Sequence, residues 1–240
     1  ACVSSQVGCS LDCEFCATSK LKRIRNLKAD EIYDQVSTIN KQSKIYYNRP
    51  ISNIVFMGMG EPLLNYRNLI LGIKKISSKD GLGISPTRIT VSTSGIPKMI
   101  VKLADEPIRI NLALSLHSAI EKTRNKIMPF STRFSLLEIL DSLKYWYKKT
   151  KRIVTYEYIV WKGVNDDYEH IESLIKFCKA SPAKVNIIYY NETGNKFFVP
   201  GDLSSVDQYL KELKNNKIPV TIRKSRGNDI DAACGQLANK

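Results

Sequence analysis

Much of what would place this chain in a common class is missing from it. No apolar run approaches the roughly 20 residues that a helix needs to cross a bilayer, and no basic-then-apolar leader opens the 240 residues. There is no low-complexity tract, no linker and no close internal repeat, so nothing suggests dividing the chain into two domains or reading it as a solenoid. Cysteine occurs six times, without the spacing of a secreted disulfide framework, which points to a reducing, cytoplasmic setting. Neither a second Cys pair nor a His pair follows the first cysteines closely. The two-pair ligand set of a structural zinc site is therefore absent.

What is present begins with Cys9-Ser-Leu-Asp-Cys13-Glu-Phe-Cys16. Three thiols spaced by three and then two residues can surround one metal centre in a single loop. Three thiolates suit a cubane iron–sulfur cluster that leaves one iron open, since a fully protein-ligated cubane takes four cysteines. An open iron is a place for a substrate or cofactor to bind. A second feature is charge. Thirty-seven basic residues against 23 acidic ones give +14, a balance that favours a polyanionic partner such as nucleic acid and is equally compatible with a merely basic surface. The run Lys20-Leu-Lys-Arg-Ile-Arg-Asn26 could contact phosphates or form a solvated loop. The hydrophobic fraction of 43% suffices for one large core.

Periodicity predicts strands at about 1–6, 51–57, 88–92, 108–116, 153–160 and 184–189. Helices are expected near 28–43, 68–77, 96–104, 119–127, 136–149, 167–180 and 203–215, with a closing strand at 218–223 outside the main repeat. About six alternations with mostly apolar strands mark parallel βαβ units, arranged as an open doubly wound sheet or an incomplete α/β barrel. Barrel chemistry collects at the C-terminal strand ends, and the unusual residues fall there. The cysteine loop follows the first strand and Gly58-Met-Gly60-Glu61-Pro62 the second. Its glycines allow close backbone approach, and Glu61 could hold a ligand's ammonium group. Ser92-Thr-Ser-Gly follows the third strand, Ser115-Leu116-His117 the fourth, and Asn191 lies just past the sixth. Near the end, Cys234 sits in a basic, then acidic, then small-residue segment that reads as a flexible loop presenting a thiol. Cys2 is a second thiol outside the cluster set, whereas Cys178 belongs to an apolar helix core.

The three-cysteine loop, with Phe15 before its last ligand, resembles the signature of radical S-adenosylmethionine (SAM) enzymes. The wider set, Cys2-Val-Ser-Ser-Gln-Val-Gly-Cys9, Gly58-Met-Gly-Glu-Pro-Leu, Ser115-Leu-His117 and Asp231-Ala-Ala-Cys234-Gly-Gln-Leu, resembles the radical SAM adenine methyltransferases of the RlmN/Cfr type. That resemblance implies an α/β fold, an incomplete (β/α)6 barrel with a C-terminal strand and loop extension, the loop at about 223–236 carrying a methyl group. It implies that Cys9, Cys13 and Cys16 ligate a 4Fe-4S cluster. It implies that Gly60, Glu61, Ser92, Ser115, Leu116, His117 and Asn191 bind SAM. Cys234 would accept a methyl group from a first SAM. A 5′-deoxyadenosyl radical from a second would abstract hydrogen from that S-methyl, and the carbon radical would add to an adenine carbon. Cys2 would release the product by forming a disulfide with Cys234. The implied substrate is an adenosine of 23S rRNA, with an anticodon-loop adenosine of tRNA as a second candidate, and the electron donor is of the flavodoxin type. The protein is expected to be a monomer, without membrane attachment.

Between the two branches, Arg223-Lys-Ser-Arg226-Gly and the Ser-Leu-Asp spacer favour C2 over C8 methylation. The family's N-terminal RNA-binding domain and its proton-accepting glutamate are not within these residues, so the chain, which opens on Ala1, is expected to be a fragment. Two other readings stay open: a radical SAM enzyme acting on another substrate, and an inactive, metal-stabilised RNA-binding relative.

Overall fold

A computed structural model describes residues 1–223, 227–230 and 233–237. A two-stranded antiparallel ribbon, β1 (Gln6–Val7) and β2 (Arg25–Asn26), brackets the cysteine loop. Six further strands form one all-parallel sheet in chain order: β3 (Ile54–Phe56), β4 (Ile89–Thr93), β5 (Asn111–Ser115), β6 (Val154–Ile159), β7 (Ala183–Ile188) and β8 (Val220–Arg223). The helices are α1 (Ala29–Tyr47), α2 (Tyr66–Ser77), α3 (Pro97–Ala104), α4 (Glu121–Ile127), α5 (Leu136–Thr150), α6 (Tyr168–Ala180) and α7 (Leu203–Asn215). Of the two arrangements that the alternation allows, this is the incomplete α/β barrel that the resemblance implies.

Alternation within each strand decides which face is covered. In β6, Val154, Tyr156 and Tyr158 are fully buried in the main core, so Thr155, Glu157 and Ile159 project to the opposite face. Ile54 and Phe56, Ile89 and Val91, Leu112 and Leu114, and Val185 and Ile187 enter the same core. The other face of the sheet then carries Thr90 and Ser92, Asn111 and Ser115, Thr155 and Glu157, Lys184 and Asn186, and Thr221 and Arg223. Several of these are cross-linked: Asn186 Nδ2 donates to Glu157 Oε1 at 3.1 Å, and Thr221 Oγ1 donates to Asn186 Oδ1 at 2.6 Å. The inner face of the half-barrel thus carries these polar groups alongside Ala113, Ile159 and Ile188.

Three elements differ from the sequence expectation. Residues 1–3 do not form a full core strand; they flank β3 through a single parallel bridge, Cys2 to Val55, with Val3 N–H donating to Val55 O. The 218–223 segment is not outside the repeat, because β8 pairs in parallel with β7 from Val185–Val220 to Ile188–Arg223. The sheet has six strands because its last strand replaces its first. α1 also runs four residues beyond its expected end, stopping at Asn48, whose φ of 49° is a left-handed cap that asparagine tolerates.

Candidate active site

The cysteine loop is tied down on every side. Cys9 N–H donates to Leu21 O at 3.1 Å, Cys16 N–H to Cys13 O at 3.1 Å, and Glu14 N–H to Ile127 O at 3.0 Å. Ser19 Oγ bonds the carbonyls of both Cys13 and Cys16. Asp12 takes a left-handed φ of 52°, which lets the chain double back between the first two cysteines. Phe15 anchors the loop from below, edge-on to His117 at 4.8 Å and 5.1 Å from Trp161. Trp161 in turn packs against Phe198 and Tyr190, forming a small second core under the loop.

Cys9, Cys13 and Cys16 all border one cavity that is open to solvent. Among the described residues no trio of His, Cys, Asp or Glu could hold a single metal ion. The three thiols border a space rather than a point, which suits a multi-iron cluster. Burial pushes the Cys9 thiol up to about 11 and the Cys13 thiol well above its ordinary value, with neighbouring cysteines adding to the shift. Cluster binding here must therefore displace protons from the thiols.

Around the rim the strand ends supply polar groups. Glu61 is 2% exposed; its Oε1 accepts from Leu63 N–H, and its Oε2 accepts from the N–H and hydroxyl of Ser94. Burial raises its carboxyl even against these donors. Gly60 has φ 93°, and a side chain there would strike Gln6, whose Oε1 accepts the Glu61 N–H at 2.9 Å. Glycine is needed at that position for the close approach. Ser92 and Ser115 line the cavity from β4 and β5. His117 is buried, and its Nδ1 accepts the Ile159 N–H at 3.3 Å. That bond leaves the ring proton on Nε2, and burial, with Arg124 adding, lowers the imidazole to about 3. His117 is a neutral donor toward the cavity it lines.

The cavity brings together Cys9, Cys13, Cys16, Gly60, Glu61, Ser92, Ser115, His117 and Cys234. It does not include Leu116, whose side chain is fully buried in the core and whose carbonyl accepts from Arg124 Nε at 3.2 Å. It does not include Asn191 either, whose Nδ2 donates to Cys234 O at 3.1 Å and so fixes the C-terminal segment. Cys2 stands beside the cavity at the sheet edge, where burial, and after it the nearby Cys234, raises its thiol. Both are free thiols. The Cys234 end of the terminal loop is anchored rather than loose: Gly235 O accepts the Ala17 N–H at 2.8 Å, and Gln236 Nε2 donates to Glu192 O. Positions 224–226, 231 and 232, on which the branch preference and part of the Asp231-Ala-Ala-Cys motif rest, lie outside the described residues.

Sequence reasoning missed Arg124, Glu157 and, in the loop after β7, the residues Thr193 and Asn195 beyond Asn191. Arg124 is buried and donates to the carbonyls of Ser94, Ser115 and Leu116, fastening the ends of β4 and β5 beside the cavity. In the sequence it reads as one more basic residue of a short polar helix. Glu157 had a visible signal, a carboxylate inside an otherwise apolar and aromatic strand. Thr193 and Asn195 reach the carbonyls of Phe15 and Glu14, a long-range match that no local pattern announces.

The model of the radical SAM superfamily matches residues 3–178. The chain belongs to that superfamily. It is 60% identical over its whole length to a probable dual-specificity RNA methyltransferase RlmN of Flavobacterium psychrophilum, spanning 69% of that protein. It is 45% identical to a probable RlmN of Thermus thermophilus, spanning 67% of it. These identities place it in the RlmN family of radical SAM methyltransferases. The crystal structure of a radical SAM methyltransferase from Sphaerobacter thermophilus superposes with a TM-score of 0.95 at 37% identity, over 98% of this chain and 69% of that one. Streptococcus suis SuiB, solved with SAM bound, shares the fold alone, at 16% identity and a TM-score of 0.67 over 94% of this chain and 50% of its own. For a radical SAM protein the cofactors are a 4Fe-4S cluster and SAM, and the donor set fits them: three thiols lining one cavity together with a buried carboxylate and neutral hydroxyl and imidazole donors. Among the described residues no helix is long and apolar enough to cross a membrane.

Proposed function

We propose that this RNA methyltransferase places its methyl group on C2 of an adenine, in 23S rRNA and also in tRNA, using two SAM molecules per turnover and Cys234 as a transient methyl carrier. When bound, the cluster and SAM supply one-electron cleavage and a 5′-deoxyadenosyl radical. The residues of this chain do the remainder. Cys9, Cys13 and Cys16 hold the cluster. Glu61 accepts hydrogen bonds from the ammonium group of SAM. Ser92, Ser115 and His117 Nε2–H meet its ribose and carboxylate, with Gly60 letting the backbone approach. Leu116 and Asn191 act from behind the cavity wall, through the backbone and the terminal loop. Cys234 carries the methyl as a thioether. Cys2 as its thiolate then attacks the Cys234 sulfur, forming the disulfide while the sulfur–carbon bond to the base breaks. The pair of that bond leaves with the carbon, which takes a proton to become the methyl group. The loop at about 223–236 is the carrier element of a single domain covering 1–240. The protein works as a cytoplasmic monomer with a flavodoxin-type electron donor, and an adenine must leave its stack to reach the site.

The observation that carries this reading is that Cys234 lines the cavity bordered by Cys9, Cys13 and Cys16, while Cys2 stands within electrostatic reach of it. Such an arrangement serves no purpose in an enzyme that only cleaves SAM. The test is the mass of the Cys234 peptide from protein made in cells replete in iron and methionine. One added methyl, absent from Cys234→Ala, is the expected result. An unmodified Cys234 beside a cluster that still cleaves SAM would refute the carrier.

A further inference from the structure

Arg223 and Glu157 have no part in the scheme above, yet Glu157 borders the cavity with Cys234, and Arg223 acts electrostatically on both thiols. β3 and β8 are opposite edges of the sheet, but Arg223 Nη1 lies 2.8 Å from Met57 Sδ, just past β3, and 3.7 Å from Glu157 Oε1 on β6. The guanidinium spans the gap that six strands leave open. Met57, Glu157 and Cys234 border the same cavity. Cys2 pairs with Val55, two residues before Met57. Because Val3 enters the core, Cys2 faces the other way, toward the inner side of the sheet. Glu157 is 3% exposed and is held at Oε1 by Asn186. Its Oε2 is buried with no hydrogen-bond partner among the described residues.

We propose that Arg223 is a positioning residue shared by the two thiols: it fixes one positive charge beside Cys234 and Cys2, against which each sulfur reacts as its anion, while Glu157 anchors the guanidinium. This rests on reading Cys234 as the methyl carrier and deepens it. Only the thiolate is an effective nucleophile toward carbon or a disulfide. In the methyl transfer the Cys234 proton leaves to solvent, and the thiolate pair forms the new sulfur–carbon bond. The pair of the broken methyl–sulfonium bond stays on sulfur in the departing S-adenosylhomocysteine. Burial is the largest influence against that anion. The charged and titratable groups facing Cys234 are Arg223 from β8, which favours ionisation, and Glu157 from β6, Cys16 from the cluster loop and Cys2 from the sheet edge, which oppose it. The Cys2 thiol is raised by burial and by Cys234, and the same guanidinium works against that rise.

The test is the pH dependence of Cys234 alkylation by iodoacetamide, followed by peptide mass on cluster-loaded protein without SAM. Arg223→Gln is expected to move the half-point upward and to slow alkylation at pH 7.5 by about tenfold, one pKa unit of lost charge stabilisation. Arg223→Lys should recover most of the rate, since it restores the charge. Glu157→Gln keeps the shape and an acceptor for Arg223 but loses the repelling charge, so alkylation should quicken. Opposite displacements are the signature, because a disturbed fold would move both variants the same way. An Arg223→Gln profile that coincides with wild type, or displacements of the same sign in Arg223→Gln and Glu157→Gln, would overturn the inference. Adding SAM to the wild-type sample separates the underlying reading: opposite displacements with no methyl on Cys234 would sink the carrier while leaving the charge effect standing.

Discussion

His117 combines three constraints in one side chain. Its φ of 54° lies in the left-handed region, its ring is buried against Phe15, and its Nδ1 is committed to the Ile159 N–H. In the unfolded chain the imidazole protonates near its ordinary value of about 6.5, whereas in the folded protein it does so only near about 3. Between those values the unfolded state binds more protons, so stability falls as pH is lowered from about 6.5 toward 3. Glu61 works in the opposite sense, since a raised carboxyl loses its stabilising contribution as pH rises through its folded value. His117→Asn isolates the histidine, because asparagine tolerates the left-handed backbone and can accept the Ile159 N–H without titrating. From pH 7 to pH 5, wild type should lose about 2 kcal/mol more unfolding free energy than His117→Asn, read from urea midpoints. Equal losses would show that the ring does titrate in the fold.

Among the elements, α5 shows how local chemistry sets a helix start. Ser135 Oγ accepts the Glu138 N–H at 3.2 Å, and Glu138 Oε2 accepts the Ser135 N–H at 2.8 Å, a reciprocal capping box. Ser135→Ala should lower stability by about 1 kcal/mol, seen as a lower urea midpoint at unchanged slope, with the same iron content per chain. A change in iron content would mean that α5 also shapes the site. This helix start was legible in the sequence, as were the starts of α6 and α7 and most strand centres, because caps and alternation are local. The edges of the sheet were not. Residues 1–3 and 220–223 are both short and apolar, and only the curvature of the whole sheet decides that the second pairs fully while the first makes one bridge. The shared cavity of Cys9, Cys13, Cys16, Glu61 and His117 was legible through their motif and position at strand ends. Arg124 was not, since its role depends on three carbonyls that converge only after β4 and β5 are side by side.

At the scale of the molecule, a net charge of +14 has to be placed before it says anything about RNA. The ribbon formed by β1 and β2 supplies one placement. Gln6 and Val7 lead directly into the cysteine loop, and their pairing with Asn26 and Arg25 holds the basic run beside it. Arg25 is taken by Glu31 in a two-pronged pair at 2.7 Å, which leaves Lys20, Lys22 and Arg23 exposed at the edge of the site. Each phosphate neutralised on binding releases counterions and steepens the salt dependence by about 0.7 to 0.9 in logarithmic slope. If these three residues meet phosphates flanking the target adenine, raising salt from 50 to 200 mM should weaken binding of an rRNA fragment by at least about tenfold. Changing Lys20, Lys22 and Arg23 together to Gln should reduce that slope by about 2 to 3, measured by filter binding across a salt series. Reductive cleavage of SAM in the absence of RNA should be unaltered, because none of the three lines the cavity. An unchanged salt slope would move the RNA path to another face of the half-barrel and leave this run as a solvated loop.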